Sequence, residues 1–264
     1  MSRRWQKFVL CGVTIALLGS VTSAILFGRV STQPPARVTE QSTPARSLQK
    51  LRNLSLQPEA AALNRRLGQR FKSGRERSVL TGNLIQGGSQ QPVTIIRSPT
   101  DSGEAVEVLL AGRRITWSGA EGIRAIESNA TEAERLFAER LVFDSPDQFV
   151  LAQLRGASYQ TIVRNLRPTE APDDYAGPLW TMVRINDPQA GQSTAAKSPW
   201  RLYFINSQSG LIDRVESDLD GQRVAASFLQ WTEQNGEKIP SHIRWTSNGE
   251  TLMEYQLAAF SLNQ

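Results

Sequence analysis

Closely spaced turn dipeptides divide the C-terminal third of the chain into short apolar runs. From Trp200 onward these dipeptides are Ser209-Gly210, Asp220-Gly221, Asn235-Gly236 and Asn248-Gly249. Asn-Gly and Asp-Gly favour the two-residue turns of β-hairpins, because both central positions of such a turn need positive φ. The runs between the turns carry β-branched and aromatic residues, which predicts about five antiparallel strands.

The first half of the chain has the same texture. Four short runs, RSVLTGNLIQGG, QPVTIIRSP, EAVEVLLAG and RRITWSG, are separated by turn residues and predict a four-stranded meander. YQTIVRNL and PLWTMVRI predict two more strands, with the polar loop RPTEAPDDYAG between them. The whole pattern therefore predicts about 10–11 strands.

Helices are predicted at two places. Pro58 suits the first turn of a helix over about 58–71. The apolar positions of that helix recur at helical spacing and are Ala60, Leu63, Leu67 and Phe71. Thr131 and Glu134 form a capping-box pattern, and Gly156 suits a helix end, so two adjoining helices are expected between Thr131 and Arg155.

This order of elements predicts an α+β fold with one large antiparallel sheet and helices packed against one face. The alternation of apolar residues agrees with a sheet that has one covered side. The groups expected to share that side are Val106, Val108 and Leu110; Ile115 and Trp117; Trp200, Leu202 and Phe204; and Ile243 and Trp245.

A sheet that curls over helices leaves an apolar cavity wherever the packing between the layers is incomplete. Either such a ligand cavity or an ordinary packed core accounts for the large side chains on the covered side. The candidate lining residues are Val108, Leu110, Trp117, Leu136, Phe137, Trp180, Met182, Phe204, Ile243, Trp245, Met253 and Tyr255.

The N-terminus has the layout of an export signal. Arg3, Arg4 and Lys7 precede an uncharged apolar stretch from Phe8 to Gly28. Its length favours a transmembrane signal anchor within residues 1–30, with the N-terminus cytoplasmic and the bulk of the chain periplasmic or extracytoplasmic. Cleavage after Ala24, which would release the chain to the periplasm, is the alternative.

A Pro-, Ser- and Thr-rich tether at residues 31–50 leads into the α+β domain at 51–264. Cys11 is the only cysteine, so the exported part has no disulfide framework. The formal net charge is +5. Because the arginines are scattered and the chain leaves the cytoplasm, no nucleic-acid partner is expected. The charge suits either anionic lipid headgroups or a plain solvated surface.

The catalytic inventory is small, and the chain is not expected to be an enzyme. His242 is the only histidine, and no nucleophile-elbow pattern accompanies it. Asp173 and Asp174 lie in a Pro-containing loop, where paired acids usually form a solvated turn. Glu216 to Ser227 resembles a calcium loop but lacks the bidentate glutamate at its last position. No metal and no cofactor are therefore expected.

The C-terminal hairpins resemble those of the bacterial outer-membrane lipoprotein carriers and their relatives, the LolA, LolB and RseB type. The matching features are the apolar strand Trp200 to Ile205, the turn Ser209 to Leu211, the Asp220-Gly221 turn, the aromatic strand Phe228 to Trp231, and the Gly-x-x-x-Pro of Gly236 to Pro240. The resemblance implies a strongly curved sheet, a half-barrel wrapped around helices with a hydrophobic cavity for acyl chains.

Two functions of different kinds are compatible with these observations. The first is a membrane-anchored binder or sensor of a membrane lipid or a lipidated protein. The second is a structural module with a fully packed core that binds an envelope protein through its outer sheet face or an edge strand. An enzyme that uses Asp173, Asp174 or His242 is a third possibility.

The last hairpin decides how His242 is placed. A two-residue turn at Asn248-Gly249 would put Ile243 opposite Glu254, whereas a three-residue loop pairs Ile243 with Met253. The three-residue loop is predicted, because it places the apolar side chains on the covered face. His242 then lies on the other face, beside Glu254.

Overall fold

The computed structural model describes residues 56–68, 77–100, 103–118, 122–126, 131–168, 171–187, 200–219 and 222–263. These residues belong to one compact unit, Gln41–Gln264. The predicted anchor, the tether, Phe71 and the Asp220-Gly221 turn lie outside the described residues.

The described part of the chain contains three α-helices and twelve strands. The helices are α1 (Pro58–Leu67), α2 (Glu132–Phe143) and α3 (Gln148–Leu151), and a 3₁₀ turn at Ala152–Arg155 continues α3. The strands are β1 (Arg77–Gln86), β2 (Ser89–Thr100), β3 (Gly103–Leu110), β4 (Arg113–Ser118), β5 (Gly122–Ile126), β6 (Ser158–Leu166), β7 (Trp180–Asn186), β8 (Trp200–Asn206), β9 (Ile212–Leu219), β10 (Gln222–Gln234), β11 (Glu237–Ser247) and β12 (Glu250–Asn263).

All twelve strands form one antiparallel sheet in the order β5-β4-β3-β2-β1-β12-β11-β10-β9-β8-β7-β6. The pairing of β1 with β12 joins the first meander to the C-terminal hairpins in the middle of the sheet. β5 is the strand that the sequence pattern missed. Its five residues are too few to show alternation, and no turn dipeptide marks its end.

One ring shows that the sheet is strongly curved. Phe143, at the end of α2, meets Trp117 of β4 edge to face, with 5.4 Å between ring centroids. The guanidinium carbon of Arg201 on β8 lies 5.0 Å from the centroid of the same Phe143 ring. In a flat sheet the eight strand spacings between β4 and β8 would separate them by about 38 Å. Since one ring reaches both strands, the sheet wraps around the helices.

The helix signals in the sequence are confirmed at α2 and α3. Thr131 Oγ1 accepts a hydrogen bond from the Glu134 N–H, and Glu134 Oε2 accepts one from the Thr131 N–H, which completes the capping box. The 3₁₀ turn after α3 ends at Gly156, as predicted. Helix α1 is shorter than predicted, because it ends at Leu67 rather than at Phe71.

The predicted covered face is confirmed for most strands. Val106, Val108 and Leu110 are buried against the helices, and so are Ile115 and Trp117 and the pair Ile243 and Trp245. In each of these strands the large apolar residues recur at every second position, so the inward side is evident from the sequence.

Strand β8 corrects the prediction that Trp200, Leu202 and Phe204 face the helices. Tyr203 is the inward residue, because its ring packs on Phe149 of α3 at 4.9 Å. Alternation then puts Phe204 on the outer face of the sheet. Apolar residues occur on both faces of the strand WRLYFIN. Because the charged Arg201 lies on the inward face, the sequence pattern favoured the opposite face as the covered one.

The last hairpin also differs from the prediction in its register. Asn248 and Gly249 both have positive φ and form a two-residue turn between Ser247 and Glu250. A bulge at Leu252 then shifts the pairing, so that Ile243 lies opposite Tyr255 rather than Met253. The bulge restores the covered face that a regular two-residue hairpin would have lost.

Candidate functional site: a groove beside a packed interior

The space between α2 and the middle of the sheet is almost filled. Val108, Leu110, Phe137, Trp245, Met253 and other predicted lining residues are buried there, and Phe137 meets Trp245 edge to face at 6.0 Å. Leu136 is partly buried against the same core. A cavity of about 40 Å³ remains next to Trp245 and Tyr255. Ligand sites usually measure about 300–1,000 Å³, so this cavity is large enough only for a few water molecules.

Buried charges occupy the centre of this interior. The Arg140 side chain is fully buried, and its Nη1 donates a hydrogen bond to Ser217 Oγ at 2.7 Å and lies 3.6 Å from Asp144 Oδ2. Arg201 Nε lies 3.9 Å from Asp144 Oδ1. Burial is the largest influence on Arg201 and lowers the pKa of its guanidinium from the usual value.

A second polar cluster ties the helices to the first meander. Arg97 of β2 donates hydrogen bonds to Glu104 Oε1 at 2.7 Å and to the Leu141 carbonyl at 2.6 Å. Gln148 Nε2 donates to the same Glu104 oxygen. These contacts hold α2 and α3 against β2 and β3. They also make the interior unsuited to hydrocarbon, because an apolar ligand would leave such groups without partners.

Sequence reasoning missed this polar interior. The available signal was a charged residue at an inward position of an apolar element, as with Arg201 within β8 and Arg140 within α2. Such a residue is almost never fully buried without a partner. The partners, however, lie far away in the sequence, so the signal would not have identified them.

A larger space lies at the side of the domain, between α1 and the inner face of β6–β8. It is an open groove of about 610 Å³. The side chains of Leu63, Ala62, Thr181 and Ile205 contribute its less polar part. The complete lining is Pro58, Glu59, Ala62, Leu63, Arg65, Arg66, Arg164, Thr181, Ile205 and Gly210.

Helix α1 is attached at both of its ends. Before its start, the Gln57 N–H donates a hydrogen bond to Gln153 Oε1 at 3.3 Å. After its end, Gly68 has a φ of 110°, and a Cβ there would lie 2.4 Å from the Gly236 carbonyl oxygen in the β10–β11 turn. Only glycine allows this close approach. The helix is thereby held across the sheet, and the groove lies between its attachments.

Arginines form the rim of the groove. Arg65 and Arg66 lie in the last turn of helix α1 and are exposed, and Arg164 lies on β6 with its side chain 71% exposed. Glu59 is the acid of this lining; it accepts a hydrogen bond from Thr161 Oγ1 at 2.8 Å and lies 3.9 Å from Arg164. The groove therefore combines an apolar floor with an excess of positive charge at its mouth.

Three of the predicted lining residues lie elsewhere. Trp180, Met182 and Phe204 are on the outer face, opposite Val183 and Tyr203, which face the helices. Trp180 meets Phe204 edge to face at 5.2 Å and donates its indole N–H to Asp213 Oδ2 at 2.9 Å. These three residues therefore line neither the groove nor the space under the helices.

The predicted placement of His242 on the outer face is confirmed. His242 Nε2 lies 2.8 Å from Glu254 Oε2, and Arg244 Nε donates to Glu254 Oε1 at 2.7 Å. The hydrogen bond from His242, followed by that from Arg244, lowers the pKa of the Glu254 carboxyl. His242 thus belongs to a surface ion cluster in which both carboxylate oxygens are occupied.

The other polar candidates have simple surroundings. The Asp173 side chain is fully exposed, 4.0 Å from Arg167. Glu216 makes ion pairs with Arg214 at 2.9 Å and Arg223 at 3.6 Å. Within the described residues, no group of three or more His, Cys, Asp or Glu side chains could hold a metal ion. No helix in the same part of the chain is long and apolar enough to cross a membrane.

Comparison with known proteins gives likenesses of structure only. No family model and no curated protein matches the sequence. Solved structures that resemble the chain include a LolA superfamily protein from Nitrosomonas europaea, with 11% identity, a TM-score of 0.49, and 77% of this chain and 93% of that chain covered. A domain named for outer membrane lipoprotein sorting, from Vibrio parahaemolyticus, has 8% identity and a TM-score of 0.48, with 83% and 93% covered.

A DUF1329 family protein from Desulfovibrio piger has 10% identity and a TM-score of 0.48, again with 83% of this chain and 93% of that chain covered. Two of these three proteins are of the kind that the C-terminal hairpins resemble. At such low identities, the function of this chain has to be argued from its own contacts.

Proposed function

We propose that this domain binds, without catalysis, the acyl chain of a membrane lipid or a lipidated protein in the groove between α1 and β6–β8. The observation that carries the proposal is an open groove of about 610 Å³ whose floor includes Ala62 and Ile205 and whose rim carries Arg65, Arg66 and Arg164. An acyl chain needs the apolar floor, and the phosphate or carboxylate beside it needs the arginines.

The size of the groove suits one acyl chain. Its volume lies within the range of about 300–1,000 Å³ that is usual for ligand sites. Each buried methylene contributes about 0.8 kcal/mol, so ten of them contribute at most about 8 kcal/mol before the cost of association. Because the groove is open, part of the bound acyl chain stays in contact with water. We therefore expect reversible rather than permanent binding.

The groove is a better acyl site than the interior under α2. The interior cavity measures only about 40 Å³, and its lining includes Arg97, Arg140, Asp144 and Asp147. Enlarging that cavity would separate ion pairs inside the domain, which is costly.

The proposed place of action is outside the cytoplasm. The support is the basic N-terminus followed by the apolar stretch Phe8 to Gly28, which suits a retained anchor or a cleaved signal. In either case the domain would work in the cell envelope, where acyl lipids and lipidated proteins are at hand.

Native mass spectrometry of the full chain, purified from membranes without added lipid, tests the proposal. We expect one acyl lipid to accompany the protein. Ala62 is exposed and lines the groove, so Ala62→Trp should fill the groove and lower the retained lipid about tenfold. Ala258→Trp, an exposed position on β12, is the matched control and should retain the lipid. Absence of lipid from both the unmodified protein and Ala258→Trp would contradict acyl binding.

A structural interaction module is the second candidate. Its support is the nearly filled interior together with the edge strand β6, where Ile162 is 41% and Val163 36% exposed. Such a module would bind an envelope protein along that edge. Crosslinking in intact cells separates the two functions. Loss of a crosslinked partner in Ile162→Asp/Val163→Asp, with the partner retained in Ala62→Trp, would favour the module.

A further inference from the structure

The arginines at the mouth of the groove make few contacts that stabilise the fold. Within the described residues, Arg65 and Arg66 make no hydrogen bond or ion pair. In the same part of the chain, Arg164 pairs with Glu59 at 3.9 Å, and that carboxylate also accepts from Thr161. Of the described residues, three guanidinium groups and one carboxylate line the groove, which leaves an excess of two positive charges among them.

Helix electrostatics explain only part of this cluster. Arginines in the last turn of a helix interact favourably with its C-terminal dipole, which would account for Arg65 and Arg66 on α1. Arg164 lies on strand β6, where no such effect operates. The three side chains come from two elements and share one feature, their position on the groove lining.

The direction of Arg66 connects the cluster to the opposite wall of the groove. Its Nε lies 3.0 Å from the position that a Cβ on Gly210 would occupy, and its Cγ lies 3.3 Å from that position. Arg66 therefore extends from α1 to the turn between β8 and β9. Positive charge is present along α1, at β6 and at this turn, around an opening with an apolar floor.

We propose that this arginine rim docks the domain on an anionic bilayer, with the mouth of the groove facing the lipid headgroups. The inference rests on the proposed acyl-binding function and adds the surface from which the ligand comes. Guanidinium groups bind phosphate oxygens in pairs of hydrogen bonds. When they contact the headgroups, the apolar floor lies next to the acyl region, and a chain enters without crossing water.

The experiment uses the full chain in proteoliposomes, because its apolar N-terminus would associate with vesicles in any case. Cys11 is replaced by serine, and a fluorophore is attached through Gln208→Cys, an exposed position in the β8–β9 turn. A quencher on the lipid headgroup then reports when the mouth of the groove contacts the bilayer. Vesicles with about 30% phosphatidylglycerol are compared with vesicles of phosphatidylcholine only.

We expect strong quenching in the anionic vesicles, little in the neutral ones, and loss of quenching at high salt. Arg65→Gln/Arg66→Gln/Arg164→Gln should reduce the ratio of docked to undocked protein about fivefold for each arginine, on the order of a hundredfold in total. Arg114→Gln/Arg184→Gln/Arg223→Gln removes three exposed arginines outside the groove lining and should leave the quenching unchanged.

Equal quenching in both vesicle types, or equal loss in the two triple variants, would overturn the proposal. The proposal would also be overturned if the rim crosslinked in cells to an acidic protein while the quenching did not depend on lipid charge. Binding of a neutral fluorescent fatty-acid ester is measured on the same samples. If the protein binds the ester but shows no lipid-dependent quenching, the docking proposal is wrong and the acyl-binding proposal stands. If it docks on anionic vesicles but does not bind the ester, the acyl-binding proposal is wrong and the docking proposal stands.

Discussion

Trp245 Nε1 donates a hydrogen bond to Asp144 Oδ2 at 3.0 Å, between two residues that are 101 positions apart in the chain. The bond joins β11, near the middle of the sheet, to the end of α2. Arg140 and Arg201 approach the same carboxylate at 3.6 and 3.9 Å. Both buried guanidinium groups thus approach one buried carboxylate, and Asp144 links α2, β8 and β11.

Asp144→Asn is therefore expected to destabilise the fold by about 3–5 kcal/mol, because the amide keeps an acceptor for Trp245 but removes the buried negative charge that Arg140 and Arg201 both approach. Urea unfolding followed by tryptophan fluorescence measures the change. Asp173→Asn, at a fully exposed site, is the matched control and should lie within about 0.5 kcal/mol of the unmodified protein. Similar stability of the two variants would contradict the role given to Asp144.

Gly68→Ala should loosen α1 and weaken acyl binding. The new Cβ would lie 2.4 Å from the Gly236 carbonyl oxygen and would also meet an unfavourable φ of 110°. We expect the free energy of unfolding to fall by about 2 kcal/mol or more and the amide hydrogens of α1 to exchange faster. Gly87→Ala, which also has positive φ but has no atom within 4 Å of its new Cβ, should cost only about 1 kcal/mol and leave α1 unchanged. Equal effects would show that the contact with Gly236 is unimportant.

Glu254→Gln should reduce stability at neutral pH but not in acid. The folded-state pKa of Glu254 lies below its usual value, so its contribution is present above the unfolded-state pKa of about 4.3 and is lost as the pH falls through the folded-state pKa. Because the cluster is on the surface, the difference at pH 7 should be under about 1 kcal/mol. Thermal unfolding between pH 2 and pH 7 measures it. Glu250→Gln, exposed on the same strand, is the control; a difference that persisted in acid would contradict the ionic origin.

Comparison of Ile205→Gln with Met182→Gln should show which face of the sheet binds the ligand. Ile205 on β8 lines the groove, whereas Met182 on β7 lies on the outer face. We expect Ile205→Gln to lower the affinity for a fluorescent fatty acid about tenfold through the lost apolar contact, and Met182→Gln to leave it unchanged. Fluorescence titration of both variants measures this. An equal loss in Met182→Gln would place the ligand on the outer face instead.

Much of the fold can be predicted from local pattern. The Asn235-Gly236 turn, the capping box at Thr131 and the inward sides of β3, β4 and β11 follow from residues only a few positions apart. Such features depend on backbone preference and on alternation, which neighbouring residues determine. The outer position of His242 belongs to the same group, since it follows from alternation with the inward Ile243 and Trp245.

Other features depend on contacts between residues distant in the sequence. The bulge at Leu252 sets the register of β11 and β12, and the contact of Tyr203 with Phe149 decides which side of β8 is covered. Arg140 and Arg201 are buried beside the same acid, Asp144 at the end of α2, which lies far from Arg201 in the sequence.

By itself, the sequence determined that this is an α+β domain with a large antiparallel sheet, because strand, turn and helix preferences act over short distances. Only the tertiary structure decided where space remains between the layers. That space is what the packing of α1, the helices and the curved sheet leaves unfilled. Among the described residues, the larger space is a groove beside Ile205 and Ala62 rather than a cavity around Trp245, because charged side chains and large rings already fill the interior.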